Sequence, residues 1–212
     1  IANGAEPWLV PDLDAIPAIE IKHPEPQPDS AEAFEPYLRD PDSLARRWAI
    51  PGTPGLEHRL GGLEKDGTTG AVSYDGPNHQ KMIGVRADKV ARVADVIPPI
   101  KVGGDAGADT LLLGWGGTQG AILSAAEQLQ SDDVRVATAH LRHLNPMPSN
   151  LGEVLARYRN VIVPEVNNGQ LCMLLRGKFL VDAKPINVIQ GRGFYVDELV
   201  AMIKDVLKEA GQ

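Results

Sequence analysis

From Asp109 onward the chain alternates short apolar runs with segments of helical period, four times over, and this rhythm leaves few folds open. The runs are Thr110-Leu111-Leu112-Leu113, Val134 to Ala139, Val161-Ile162-Val163 and Ile186-Asn187-Val188-Ile189. Runs so short and apolar suit strands buried on both faces. Strands that alternate with helices predict an α/β fold: a mostly parallel open sheet with helices on both faces, joined by right-handed crossovers. The helices are read from their apolar stripes. The first carries Ile122, Ala125, Ala126 and Leu129; the second Leu151, Val154, Leu155 and Tyr158. The third starts at about Gly169 with Leu171, Leu174 and Leu175, and the last carries Val200, Ile203 and Leu207. Asn150 is expected to cap the second helix with Glu153 as its capping-box partner, and Asp197 to cap the last.

The first fifty residues obey other rules. Pro7, Pro11, Pro17, Pro24, Pro26, Pro28, Pro36 and Pro41 exclude long helices and central strands there, since proline fixes φ and donates no hydrogen bond. Short extended pieces such as Ala18-Ile19-Glu20-Ile21 remain open. Trp8, Phe34, Tyr37 and Trp48 are costly to leave in water. This arm is therefore expected to pack on other protein, with Trp8 and Trp48 buried against it. Residues 51–76 are rich in glycine, which is turn chemistry. A helix follows, capped by Asp75 or Gly76 with Pro77 in its first turn. Its mostly apolar face is read from Met82, Val85, Lys89, Val90, Val93 and Ile97, and Pro98-Pro99 stops it.

Composition then excludes several classes of function. The net charge of −7 argues against a nucleic-acid partner, which would need a basic face. No apolar run approaches the 18 or so residues of a membrane span. The single cysteine, Cys172, can form no internal disulfide and cannot hold an iron–sulfur cluster by itself. A reducing, cytoplasmic setting fits. The start, Ile1-Ala2-Asn3-Gly4, reads as the middle of a longer polypeptide.

Two loops are candidates for an anion or an interface. Gly114, Gly116, Gly117 and Thr118 lie between the first strand and a helix N-terminus, where backbone N–H groups favour an anion. The sequence lacks the Gly-Lys-Ser/Thr of a P-loop, and no acidic residue ends the second strand to grip a ribose. A tight turn outweighs a ligand there. Glu165, Asn167, Asn168 and Gln170 lie past the third strand, at the sheet edge where ligands sit in such folds. The plainer reading makes an asparagine the helix cap and pairs Glu165 with a neighbour. His140 and His143 lack a third ligand for a metal, so no metal site is assigned. Cys172, among apolar neighbours, reads as inert. No catalytic residue is assigned.

Several ordered blocks together resemble a known family. They are Trp48-Ala49-Ile50-Pro51-Gly52-Thr53-Pro54-Gly55-Leu56-Glu57-His58-Arg59, then Gly61-Gly62-Leu63-Glu64, then Asn78-His79-Gln80-Lys81-Met82 with Arg86 and Lys89. Gly114 to Ile122, Leu144-Asn145-Pro146-Met147-Pro148 and Pro164 to Leu171 with Leu174-Leu175-Arg176 complete the set. The chain resembles the C-terminal portion of the alpha subunits of thiamine-dependent 2-oxoacid:ferredoxin oxidoreductases. The Pro-Gly-Thr-Pro-Gly-Leu-Glu-His-Arg stretch favours the 2-oxoglutarate type, with pyruvate or another 2-oxoacid as the alternative.

The resemblance implies that residues 1–50 end a thiamine pyrimidine-binding domain and form the proline-rich arm. Residues 51–104 would be a linker and bridging helix, and 105–212 a domain similar to the C-terminal domain of transketolase, with five strands. The whole enzyme would use thiamine diphosphate, Mg²⁺, a [4Fe–4S] cluster and coenzyme A. This segment would bind none of them alone. Its partners would be the rest of the alpha subunit upstream of Ile1, a beta subunit carrying the thiamine diphosphate and the cluster, and ferredoxin. It would brace the cofactor domains and make subunit contacts. A reading of another class is a regulatory nucleotide-binding α/β module built on the Gly114–Gly120 loop.

Overall fold

The structure, a computed structural model, describes residues 10, 12–18 and 34–211. Most of the arm, including Trp8 and residues 19–21, lies outside them. The chain divides into two compact units between Val96 and Ile97.

The second unit carries the sheet. Strands β1 (Val102–Gly104), β2 (Thr110–Trp115), β3 (Ala137–Leu141), β4 (Asn160–Glu165) and β5 (Ala183–Asn187) lie in the order β1-β3-β2-β4-β5. β2, β3, β4 and β5 are parallel, and only β1 runs antiparallel, along β3. The expected mostly parallel sheet with helices on both faces is what the chain forms. Successive side chains along a strand point to opposite faces, so alternate residues feed two cores. Leu111, Leu113, Val161 and Val163 pack with Leu151, Leu155, Leu171 and Leu175. These come from α3 (Leu151–Leu155) and α4 (Gln170–Phe179). Leu112 and Ile162 pack with Ile122, Leu129, Leu199 and Ile203. These belong to α2 (Gln119–Ser131) and α5 (Val196–Glu209).

Tertiary pairing moves several sequence-read boundaries. β3 starts at Ala137 rather than Val134, because both of its neighbours begin their ladders there, at Gly104 and Leu111. β5 spans Ala183–Asn187 rather than 186–189, since it takes its register from β4, Val161 facing Ala183 and Glu165 facing Asn187. β1 has no apolar signature, being Val-Gly-Gly and exposed throughout, and it escaped the sequence reading.

Three side-chain expectations are corrected. Asn150 makes no side-chain cap on α3. Its amide instead receives the Ile100 N–H at 2.9 Å and donates to the Ile100 carbonyl at 3.0 Å, a better use because Ile100 is buried. Tyr195, not Asp197, is the N-cap residue of α5, and Asp197 sits in the first turn, where its charge suits the helix dipole. Leu174 is 53 % exposed, while Cys172 is buried in its stead.

The unit before Ile97 is built from two matched hairpins and a helix. Arg39 bridges Arg46, and Lys65 bridges Val72, both antiparallel. In each hairpin the aspartate after the first bridge residue organises the turn. Asp40 Oδ1 accepts from the Ser43 N–H and hydroxyl at 2.7 and 2.8 Å. Asp66 Oδ1 accepts from the Thr69 N–H and hydroxyl, both at 2.8 Å. Position six of each turn has positive φ, at Gly70 (73°) and at Leu44 (56°). The chain thus uses one turn chemistry twice, in Arg39-Asp40 to Ala45 and in Lys65-Asp66 to Ala71.

Helix α1 (Gly76–Ala91) is capped by Asp75, which accepts from the Asn78 N–H at 2.8 Å, as the sequence predicts. Only Met82 is buried on it; Ile83, Val90 and Val93 of the helix and its continuation are exposed. Trp48 is 68 % exposed.

Glu64 ties the hairpin region to α1. It accepts from both Arg86 Nη atoms at 3.0 Å and meets His79 Nδ1 at 2.8 Å. The Arg86 hydrogen bonds, then that of His79, hold its carboxyl down at about 2. A depressed carboxylate stabilises the fold fully above its ordinary value, and that stability is lost as pH falls through the folded value. We expect the acid sensitivity of this unit between pH ~4.5 and ~2 to shrink in Arg86→Gln relative to the unaltered chain. Thermal melts across that window check it, and identical pH profiles would refute it.

Candidate functional site

In an open α/β sheet, ligands sit at the carboxyl ends of adjacent strands whose connections leave in opposite directions. Here those strands are β2, which leads through α2 to β3, and β4, which leads through α4 to β5. The two predicted loops follow just these strands. The structure therefore brings Gly114, Gly116, Gly117 and Thr118 to the same sheet edge as Glu165, Asn167, Asn168 and Gln170.

The strands part at that edge. β2 and β4 are paired from Thr110 and Asn160 only as far as Leu112 and Ile162. Both remain paired with their outer neighbours further on, to Trp115–Leu141 and Glu165–Asn187. Pro164 explains the parting: proline has no N–H to give a neighbour and belongs at edges or breaks of a ladder.

The gap so opened is filled from within. Trp115 Nε1 donates to Glu165 Oε1 at 3.1 Å across it. Glu165 is 0 % exposed. Its carboxylate also receives Asn167 Nδ2 at 3.1 Å, the Leu171 N–H at 2.9 Å and the Cys172 N–H at 3.1 Å. The last two are the free amides of the first turn of α4, where an anionic ligand would otherwise bind. The protein's own carboxylate occupies the anion position of this helix. The N-cap residue of α4 is Gly169, neither of the asparagines that the sequence suggested; Asn167 Oδ1, two residues before it, accepts from the Gly169 and Gln170 N–H groups at 2.9 and 3.0 Å. Asn168 and Gln170 are exposed.

The glycine loop is likewise turned on itself. Gly116 to Thr118 form a single 3-10 turn. The buried Thr118 hydroxyl donates to the Trp115 carbonyl at 2.9 Å and takes the Trp115 N–H at 3.3 Å. Gly114 leaves no space for a side chain: a Cβ there would lie 2.4 Å from Ile122 Cδ1 and 2.8 Å from Thr118 Oγ1. His140, facing it from β3, is held toward its neutral form by burial and then by the Arg142 charge. The Cys172 thiol is pushed up by burial, which suits an inert thiol.

The edge can therefore orient and lock two loops, and the one neutral imidazole facing it, His140, keeps its Nδ1 buried. The Trp115–Glu165 pair was beyond sequence reasoning because its members lie 50 residues apart. The one available signal was a proline ending the apolar run of β4. Among the described residues no group of three or more His, Cys, Asp or Glu is placed to hold a metal ion. The one cysteine is buried, so cluster thiolates would have to come from elsewhere. No helix is long and apolar enough to cross a membrane among the described residues.

No family model matches the sequence. Individual relatives do. Over 208 residues, 98% of this chain, it is 47% identical to the 2-oxoglutarate oxidoreductase subunit KorA of Mycobacterium tuberculosis, of which it spans 31%. It is 35% identical over 114 residues to the 2-oxoacid:ferredoxin oxidoreductase 1 alpha subunit of Aeropyrum pernix, covering 51% of this chain and 18% of that one. Among solved structures, a 2-oxoglutarate:ferredoxin oxidoreductase from Magnetococcus marinus, with 2-oxoglutarate, coenzyme A and succinyl-CoA bound, matches with a TM-score of 0.79 at 30% identity. The match covers 92% of this chain and 34% of that one. The chain thus spans about a third of the length of the Mycobacterium tuberculosis and Magnetococcus marinus proteins. Identity over nearly the whole sequence and a shared fold place the chain in the family of 2-oxoacid:ferredoxin oxidoreductase alpha subunits, as a segment corresponding to their C-terminal part.

Proposed function

We propose that the chain is a bracing and subunit-contact segment of a 2-oxoglutarate:ferredoxin oxidoreductase alpha subunit, with no active site of its own. The enzyme would convert 2-oxoglutarate and coenzyme A to succinyl-CoA and CO₂ while reducing ferredoxin, or run the reverse carboxylation. Thiamine diphosphate with Mg²⁺ and a [4Fe–4S] cluster would be held by a beta subunit, in a cytoplasmic assembly that also meets ferredoxin. The observation that carries this reading is the self-filled switch point. Glu165 and Trp115 take up the position that a ligand would use, so the sheet serves rigidity. Exposed Met173, Leu174, Leu180 and Tyr195 supply apolar surface suited to packing inside a larger machine.

The segment's work, in this reading, is geometric. Catalytic groups on other domains must be held to within about 0.5 Å, and a mostly parallel sheet with an apolar core on each face is a stiff support. The test is to purify the alpha–beta complex with the unaltered chain and with Glu165→Ala. We expect 2-oxoglutarate- and coenzyme A-dependent reduction of ferredoxin to fall in step with the amount of complex assembled. The KM for 2-oxoglutarate of the assembled fraction should stay unchanged. A changed KM at full assembly would place the crevice in substrate binding and overturn the proposal.

A further inference from the structure

The cleft between the first hairpin and α1 holds more positive charge than its carboxylate answers. It has a volume of about 420 Å³, and Tyr37, Arg39, Arg46, Glu64, His79 and Arg86 line it. Glu64 is already committed to Arg86 and His79. Among the described residues, Arg39 and Arg46 meet no carboxylate. One Arg39 Nη donates to the Leu44 carbonyl at 2.9 Å, while its Nε is buried and has no partner. The Arg46 guanidinium lies 4.4 Å from the centre of the Tyr37 ring and reaches the Pro36 carbonyl only at 3.4 Å.

The hairpin forces these two cations together. Arg39 and Arg46 are bridge partners, so their side chains leave the same face of the ladder side by side. Like charges directly opposite one another are destabilising. Burial, then the charges of Arg46 and Arg86, make Arg39 a weaker base than usual. The hairpin has no need of this: the matched turn further on does the same job with Lys65 opposite Val72. A repulsive pair that lines a cleft, one member of it with a buried and unpartnered N–H, calls for an anion.

We propose that this cleft binds a small oxyanion of the phosphate class, gripped by the Arg39 and Arg46 guanidinium groups. The planar guanidinium matches the oxygens of a phosphate two at a time. A phosphate near neutral pH carries roughly −1.5 to −2, which balances two unanswered cations. The cleft is wider than one phosphate, so a pyrophosphate or a phosphate with an organic substituent fits. Tyr37 and Met82 provide its apolar wall.

The test is calorimetric titration of the purified protein, in whatever assembly it forms, with inorganic phosphate, pyrophosphate and ADP without added metal. Sodium chloride and acetate at matched ionic strength are the controls, since screening alone changes such surfaces. We expect saturable binding of pyrophosphate or ADP, weakened about ten-fold or more in Arg46→Gln and in Arg39→Gln. Arg39→Lys, which keeps the charge and loses the planar fork of the guanidinium, should fall between. Arg46→Gln leaves the Arg39–Leu44 bond in place, so it reports on binding even if Arg39→Gln unfolds. A preference for ADP assigns the oxyanion to a nucleotide, and a preference for pyrophosphate to a free phosphate. No saturable heat beyond the salt controls, or equal binding by Arg46→Gln, overturns the proposal and gives the two arginines to a carboxylate on neighbouring protein.

Discussion

Glu165→Ala is expected to destabilise the chain by about 3–5 kcal/mol, because it strips the partner from four buried or half-buried donors at once. Each unsatisfied buried donor costs roughly 1–3 kcal/mol, and water entering the gap would recover part of the sum. The Trp115 indole, the Asn167 amide and the N–H groups of Leu171 and Cys172 in the first turn of α4 all converge on this one carboxylate. Its loss frees the α4 cap and reopens the strands that Pro164 parts. The melting temperature should drop on the order of 10 °C or more. Glu165→Gln keeps the shape and one acceptor oxygen but turns an NH₂ group toward a donor. It should cost less, about 1–3 kcal/mol. Urea unfolding followed by tryptophan fluorescence measures both. A Glu165→Ala variant within ~1 kcal/mol of the parent would mean that the carboxylate is not the keystone of this edge and would reopen a ligand role for it.

Gly114→Ala should cost about 2–3 kcal/mol, as an overpacked core position, whether or not any ligand is present. The added methyl group would lie 2.4 Å from Ile122 Cδ1, 2.8 Å from Thr118 Oγ1 and 3.3 Å from His140 Nδ1. Ile122 is itself buried in the α2 core, and Thr118 is fixed by its two bonds to Trp115, so neither can step aside cheaply. Gly120, six residues on, makes the contrast. A methyl group there meets nothing within 4 Å. Gly120→Ala should be neutral or stabilise by about 0.5 kcal/mol through the unfolded chain. If the loop cradled a phosphate, alanine at either glycine would weaken ligand binding while leaving the ligand-free fold little changed. Paired chemical denaturation of the two variants decides between packing and cradle. Equal stability of Gly114→Ala and the parent would defeat the packing reading.

The order of strands and helices after Asp109 was legible because burial on both faces forces strands such as Leu111-Leu112-Leu113 and Val161-Ile162-Val163 to be apolar throughout. Local chemistry was legible for the same kind of reason: Asp75 and Pro77 start α1 where their side chains say they should. The antiparallel edge strand was not, since Val102-Gly103-Gly104 buries nothing and exists only because β3 offers it an edge. The ends of β3 and β5 moved because a strand stops where its neighbour stops, which no single segment encodes. Asn150 turned its side chain to Ile100 because a buried backbone group from a distant segment competes for it, while Asp197 takes the Gln128 amide of α2 at 3.2 Å.

By itself, then, the sequence determined the layers of this protein, since apolar period and turn chemistry are local properties of the chain. Only the tertiary structure decided what the site is. Trp115 and Glu165 are ordinary residues until the sheet brings β2 beside β4, and it is their meeting that closes the crevice. Arg39 and Arg46 become a charged pair only when a hairpin sets them face to face. Hydrogen bonds and Coulomb forces act over a few ångströms of space, whatever the distance along the chain.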